Sequence, residues 1–151
     1  LLLTALACLL LGMEVPTTAA YIICVSVAGP ALQNLGLDLL TTHLFVFWFA
    51  LLSTITPPVC GAVFIAAGMV NENWLKVAVS AMALGIGLYL VPIGMVVNDD
   101  LIRLEQAPLL ALIAAVKTGL SLSAIAYGVI SPLAAWIRLL LTGCGFLLLL
   151  I

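Results

Sequence analysis

The segments GMEVPTT (residues 12–18) and STITPP (residues 53–58) interrupt a chain that is otherwise almost continuously apolar. In hydrocarbon every backbone N–H and C=O group needs a hydrogen-bond partner. Non-helical backbone therefore persists at membrane depth only where it is buried in protein or lines a polar cavity. The two interruptions predict broken helices, with a binding site where the helices break.

The composition is that of an integral membrane protein. Hydrophobic residues make up 66% of the chain and charged residues 7%, with a mean hydropathy of +1.43, whereas ordinary soluble domains carry about 25% charged residues. A net charge of −2 from so few charged side chains excludes a basic nucleic-acid surface. The four cysteines lie in apolar sequence without CxxC spacing, so we predict packing roles for them.

The chain beyond residue 74 contains three stretches long enough for continuous transmembrane helices, which need about 20 mostly apolar residues. They cover residues 75–97, 111–130 and 133–151. The segment LIRLEQAP at residues 101–108 mixes charges with Leu and Ile, which favours a short link lying in the membrane interface.

The apolar stretches beside the two interruptions are too short to span alone. Residues 1–11 and 19–32 flank the first interruption, and residues 42–52 and 59–70 flank the second. Half-helices of about 11 or 12 residues reach only about 17 Å, roughly half a bilayer. Each pair is either a re-entrant hairpin or one broken spanning helix, and the periodicity does not decide between them.

The first interruption combines residues that open a helix with residues that offer oxygen atoms. Pro16 lacks a backbone N–H and disfavours helix at Val15, while Gly12 permits unusual backbone conformations. Opening frees backbone carbonyls, and Thr17 and Thr18 can cap the next half-helix or present hydroxyl oxygens. Such an oxygen-only environment suits Na⁺, and half-helix N-termini face anionic substrates in broken-helix transporters.

The second interruption repeats this chemistry. Ser53, Thr54 and Thr56 offer three hydroxyls, and Pro57-Pro58 can stop one half-helix and begin the next. The simpler alternative is a proline kink whose hydroxyls bond back to the preceding turn. Two similar segments in one chain favour a site over two unrelated kinks.

Two ionisable residues near the interruptions have open roles. Glu14 is the only carboxylate inside an apolar half, so it is either functional or solvated in a water-filled vestibule. His43 could carry protons, because imidazole titrates near neutral pH. A lone His at a helix start is more often a hydrogen-bonded interfacial residue.

The segments GMEVPTTAAYI (residues 12–22) and HLFVFWFALLSTITPPVCGAVFIAAGM (residues 43–69) resemble the large membrane subunit of tripartite ATP-independent periplasmic (TRAP) transporters. The fused-permease subgroup is most similar, since it reads G-M-x-x-P-T-T-A-A-Y and then HLFVFY and ITPPV. Dicarboxylate-type relatives tend to carry an acidic residue at the position of Pro16. Trp48 stands where Tyr is usual, and the resemblance is specific over residues 10–98.

The resemblance implies an all-α, multi-pass, elevator-type secondary transporter of a bacterial or archaeal inner membrane. It would move organic acids inward with Na⁺ after delivery by a periplasmic substrate-binding protein. Residues 1–98 would form half of the transport domain, with a hairpin over 1–35, a broken helix over 38–70 and a transmembrane helix over 75–97. Residues 99–151 would add the interfacial segment and two further transmembrane helices. The N-terminal part of the permease would be a partner missing from this chain.

The resemblance also implies that the two interruptions together hold one Na⁺ and half of the substrate site. The candidate Na⁺ ligands are Gly12, Thr17, Thr18, Ser53, Thr54 and Thr56. The candidate substrate contacts are Thr17, Thr18, Pro57 and Pro58. No catalytic residue and no cofactor besides the coupling ion is expected, and Glu14 occupies a variable motif position, so no family role transfers to it.

Two other protein classes are alternatives. A membrane-embedded enzyme would use Glu14 and His43, but the sequence supplies neither a nucleophile with a paired base nor a metal-ligand cluster beside them. A passive helical membrane subunit predicts uninterrupted spans without clustered hydroxyls. Both interruptions count against it.

Overall fold

A computed structural model describes residues 1–13, 15–97, 101–102 and 107–150. Every regular element in these residues is an α-helix, which confirms the predicted all-helical fold. The helices are α1 (Leu2–Leu11), α2 (Thr17–Asn34), α3 (Leu39–Leu52), α4 (Gly61–Val70), α5 (Trp74–Leu84), α6 (Ile86–Val97), α7 (Pro108–Ile130) and α8 (Ala135–Leu150).

The chain forms two compact units, one up to Met82 and one from Ala83 onward. This structural division falls within α5. The division after residue 98 into transport-domain and C-terminal parts stays a prediction. Glu14, residues 98–100 and residues 103–106, which are half of the expected interfacial segment over residues 101–108, lie outside the described residues.

In the first unit, α1 and α2 fold back on each other as a hairpin. The Cys24 thiol donates to the Cys8 carbonyl with an Sγ···O distance of 3.6 Å, and both side chains are fully buried. In one continuous helix these residues would lie about 24 Å apart, at 1.5 Å per residue. The contact therefore selects the hairpin from the two geometries that the sequence leaves open for this pair.

The third helix packs against this hairpin and owes its start to a local signal. The Asp38 carboxylate accepts a hydrogen bond from the Thr41 backbone N–H at 2.9 Å, a typical helix N-cap. Farther along α3, Phe45 and Phe49 are buried one turn apart, with ring centroids 4.9 Å from each other. The aromatic run thus contributes to the protein core of this unit.

A small apolar cluster joins α4 and α5 to the second break. Cys60, Val63 and Ala78 are buried together, and Ile55 packs against them. The loop between α3 and α4 is therefore anchored by an apolar side chain in its middle.

The predicted continuous helix over residues 75–97 is wrong in detail, because the helix is interrupted at Gly85. The Leu88 N–H bonds to the Gly85 carbonyl at 2.8 Å, which is a tightened i to i+3 turn. Gly costs about 1 kcal/mol relative to Ala in a helix, and Pro92 removes a further helical donor. Both residues weaken the helix where hydropathy alone predicts continuity.

The second unit contains α7, which at 23 residues is the one helix in the described part of the chain that is long and apolar enough to cross a membrane alone. Helices α5 and α6 pass this test only as a pair. Helix α8 has 16 residues, fewer than the span expected over residues 133–151.

Helices α7 and α8 approach closely because small residues face each other. A Cβ atom added to Gly128 would lie 2.8 Å from Thr142 Cγ2, and one added to Gly145 would lie 2.8 Å from the Ser121 carbonyl oxygen. The buried Ser121 hydroxyl donates to the Gly145 carbonyl. Close backbone approach and an interhelical hydrogen bond are the usual means of helix association in apolar surroundings.

Candidate functional site

Both predicted interruptions are breaks between helices. Helix α1 ends at Leu11 and α2 begins at Thr17, while α3 ends at Leu52 and α4 begins at Gly61. Pro16 has extended backbone, with φ −51° and ψ 141°, at the N-cap of α2. The break that proline chemistry predicts is therefore present in each segment.

The first break is shorter than expected. Thr17 and Thr18 are exposed members of the first turn of α2 rather than parts of the opened backbone. The physical reason is that proline restricts the residue before it, here Val15, and leaves the residues after it free to begin a helix.

Gly12 and Ser53 bring the two breaks together. Gly12 is the C-cap of α1 and Ser53 is the C-cap of α3, and both are buried. A Cβ atom added to Gly12 would lie 2.5 Å from Ser53 Oγ and 2.9 Å from Ser53 Cβ, closer than real Cβ contacts. Only glycine lets the backbone of the first break lie directly against this hydroxyl.

This contact also has an electrostatic consequence. A helix C-terminus carries about half a negative charge, because the peptide dipoles are aligned along the helix axis. Two such ends meet where Gly12 touches Ser53, and no basic residue lies in the last turn of α1 or α3. The junction is therefore suited to a cation.

The hydroxyls of the second break bond back to α3, as the proline-kink alternative anticipates. Each donates to a carbonyl of the preceding turn: Ser53 Oγ to Ala50 at 2.6 Å, Thr54 Oγ1 to Leu51 at 2.8 Å and Thr56 Oγ1 to Leu52 at 2.6 Å. A hydroxyl that donates its proton keeps its oxygen lone pairs as acceptors. Back-bonding therefore leaves these oxygens able to coordinate a cation.

The backbone of the second break is tightly wound before the proline pair. The N–H groups of Thr54 and Ile55 bond to carbonyls three residues earlier, each at 3.2 Å, and the Pro57-Pro58 peptide bond is cis. Carbonyls in the last turn of α3 thus accept internal hydrogen bonds. This arrangement leaves the hydroxyl oxygens as acceptors at the break.

The N-terminus of α2 is open to an anionic group. Within the described residues no side-chain hydrogen bond caps it, and its first intrahelical bond runs from the Ala20 N–H to the Pro16 carbonyl at 2.9 Å. The N–H groups of the residues before Ala20 have no earlier helical carbonyl to bond. A carboxylate beside Thr17 and Thr18 would meet these donors and the positive end of the helix dipole.

His43 is hydrogen-bonded, with its Nδ1 atom 2.6 Å from the Tyr21 hydroxyl oxygen. The Tyr21 ring also meets Phe47 edge to face, with centroids 5.8 Å apart. This hydrogen bond links α2 of the hairpin to α3. It fits the interpretation of His43 as a hydrogen-bonded residue. Tyr21 was not predicted as its partner, although both residues belong to the quoted motifs.

Discontinuous helices whose ends meet at one place are a feature of broken-helix membrane transporters. Residues 1–110 match the family model described as Tripartite ATP-independent periplasmic transporter, DctM component, and the chain belongs to this family. It is therefore a transporter component of the inner membrane and not an enzyme. No match was found among the curated proteins or the solved structures. Membership of the fused-permease subgroup and a C-terminal position stay predictions.

Proposed function

We propose that this chain forms part of the permease of a Na⁺-coupled secondary transporter that takes up organic acids presented by a periplasmic binding protein. The observation that carries the proposal is the contact between Gly12 and Ser53, where the C-terminal ends of α1 and α3 meet. Binding-protein delivery and the organic-acid class rest on the family.

The coupling ion would bind at the Gly12–Ser53 junction. Na⁺ would take carbonyl oxygens from the end of α1, beginning with Gly12, and hydroxyl oxygens from Ser53, Thr54 and Thr56. Unwound carbonyls and half-helix C-termini hold Na⁺ in broken-helix transporters for the same electrostatic reason. One break alone supplies few oxygens, and water is scarce at membrane depth. The two breaks therefore work as one site.

The substrate carboxylate would bind at the N-terminus of α2. Thr17 and Thr18 offer exposed hydroxyls and uncapped backbone N–H groups there, and Pro57 and Pro58 would supply an apolar wall. Their exposure makes Thr17 and Thr18 substrate contacts rather than Na⁺ ligands in this proposal. Bound Na⁺ would favour the anion by opposite charge, which couples the two binding events.

Uptake by the intact transporter in proteoliposomes tests this function. We expect substrate uptake to need an inward Na⁺ gradient and the binding protein, without ATP. Ser53→Ala removes one Na⁺ ligand and should raise the Na⁺ concentration for half-maximal uptake by about fivefold, the equivalent of one hydrogen bond.

Ser26→Ala is the matched control, because the exposed Ser26 hydroxyl makes a similar back-bond, to the Ile23 carbonyl at 2.8 Å, and lies outside both breaks. Its Na⁺ dependence should equal that of the wild type. Uptake that follows ATP and ignores Na⁺, or an unchanged Na⁺ dependence in Ser53→Ala, would contradict the proposal.

A further inference from the structure

The corner between α7 and α8 holds a charged side chain in a fixed position. Arg138 folds back over the end of α7, where its Nε donates to the Gly128 carbonyl at 3.0 Å and its Nη2 donates to the Val129 carbonyl at 2.9 Å. These carbonyls belong to the last turn of a helix and lack helical partners. The two bonds therefore orient the guanidinium group.

The charge of Arg138 is not neutralised by these contacts. A guanidinium group has five N–H donors, so two bonds leave three for another ligand. The one ion pair in the described part of the chain joins Lys76 to Glu72, and Arg138 is exposed. Among the described residues, Arg138 is thus a pre-oriented cation without a carboxylate partner.

An open groove of about 260 Å³ lies beside this cation. Its lining is Gly128, Val129, Ala135, Arg138, Leu139 and Thr142. The Thr142 hydroxyl donates to the Arg138 carbonyl at 2.9 Å, so Arg138 supplies the free donors of the groove. One end of the groove is cationic and the rest is largely apolar.

The length of α7 and the residue types around its end fit a corner at the level of lipid headgroups. Helix α7 has 23 residues, about 35 Å at 1.5 Å per residue, against a hydrocarbon thickness of about 30 Å. A spanning helix of this length would bring its end at Ile130 to the membrane boundary. Trp136, 66% exposed at the start of α8, is the residue type enriched at that depth.

We propose that the α7–α8 corner binds the phosphate group of an anionic phospholipid, with Arg138 as the phosphate ligand and an acyl chain along the groove. A guanidinium fork matches two phosphate oxygens, and cationic residues attract anionic lipids at this depth. The site lies beyond residues 1–110, the part of the chain that matches the family model.

Lipid titration of the purified protein in a neutral detergent tests this proposal. Phosphatidylglycerol should raise the unfolding temperature of the wild-type protein more than phosphatidylcholine does. Arg138→Gln should weaken the apparent affinity for phosphatidylglycerol by about fivefold or more. Lys76→Gln removes an exposed cation that already has the Glu72 carboxylate as its partner, so its lipid affinity should match the wild type.

Several outcomes would overturn the lipid site. One is an equal response to both lipids, another is wild-type affinity in Arg138→Gln, and a third is equal stabilisation by inorganic phosphate, which would indicate a soluble phosphate ligand. If Arg138→Gln does not fold, Arg138→Lys decides the question. Lysine keeps the charge but loses the fork, so weaker phosphatidylglycerol binding supports the proposal and unchanged binding refutes it.

Discussion

Gly12 is important because it has no side chain, which leaves room for Ser53. Its added Cβ would fall 2.5 Å from Ser53 Oγ, so Gly12→Ala must separate the ends of α1 and α3. We expect a loss of about 1–3 kcal/mol in the free energy of unfolding, together with weaker Na⁺ activation of transport. Thermal unfolding and proteoliposome uptake measure the two effects.

Gly68→Ala is the control for this substitution. Gly68 lies in α4, and a Cβ atom added there would meet nothing within 4 Å. Since Ala favours a helix by up to about 1 kcal/mol, the control should be neutral or stabilising. Equal behaviour of the two variants would show that the Gly12–Ser53 contact is not tight in the working protein.

The sequence predicts the chemistry of individual residues better than their partners. Proline and hydroxyl side chains mark both breaks correctly, because their effects on the backbone are local. The contacts between helices have no such local signal. The hydrogen bond between Tyr21 and His43 depends on how α2 and α3 pack. The burial of the Thr42 hydroxyl, which has no hydrogen-bond partner in the described residues, depends on the same packing.

At the level of the elements, the Tyr21–His43 hydrogen bond is a polar contact between α2 and α3. Tyr21→Phe keeps the ring packing against Phe47 but removes the hydroxyl that lies 2.6 Å from His43 Nδ1. We expect the free energy of unfolding to fall by about 1 kcal/mol, the usual net value of a hydrogen bond. Chemical denaturation in detergent provides the measurement.

Tyr127→Phe serves as the comparison, because Tyr127 is 61% exposed on α7. It should leave stability unchanged within about 0.5 kcal/mol. If Tyr21→Phe also leaves the free energy of unfolding unchanged, the hydrogen bond does not stabilise the packing of the hairpin against α3.

Element lengths show where hydropathy fails as a guide. It predicts residues 75–97 as one helix because it counts apolar side chains and ignores the backbone cost of Gly85. It predicts residues 111–130 well, because α7 runs from Pro108 to Ile130. Hydropathy also leaves the hairpin over residues 1–35 undecided, since folding back depends on contacts such as that of Cys24 with Cys8.

For the whole molecule, a shared ion site predicts that Na⁺ stabilises the folded protein. A ligand that binds only the folded state adds about 2.7 kcal/mol at 100 times its dissociation constant. We therefore expect the unfolding temperature to rise with NaCl concentration and to change less in KCl at equal ionic strength. Equal ionic strength removes general screening from the comparison.

The Ser53→Ala and Ser26→Ala variants also test where the stabilising Na⁺ binds. Ser53→Ala should lose about 1 kcal/mol of the Na⁺-specific stabilisation, the equivalent of a fivefold weaker Na⁺ affinity, because its hydroxyl lies where the C-terminal ends of α1 and α3 meet. Ser26→Ala should keep it, since that hydroxyl lies outside the breaks. Identical NaCl and KCl curves for the wild type would mean that the two helix ends meet without binding Na⁺. Loss of the effect in Ser26→Ala would place the ion elsewhere.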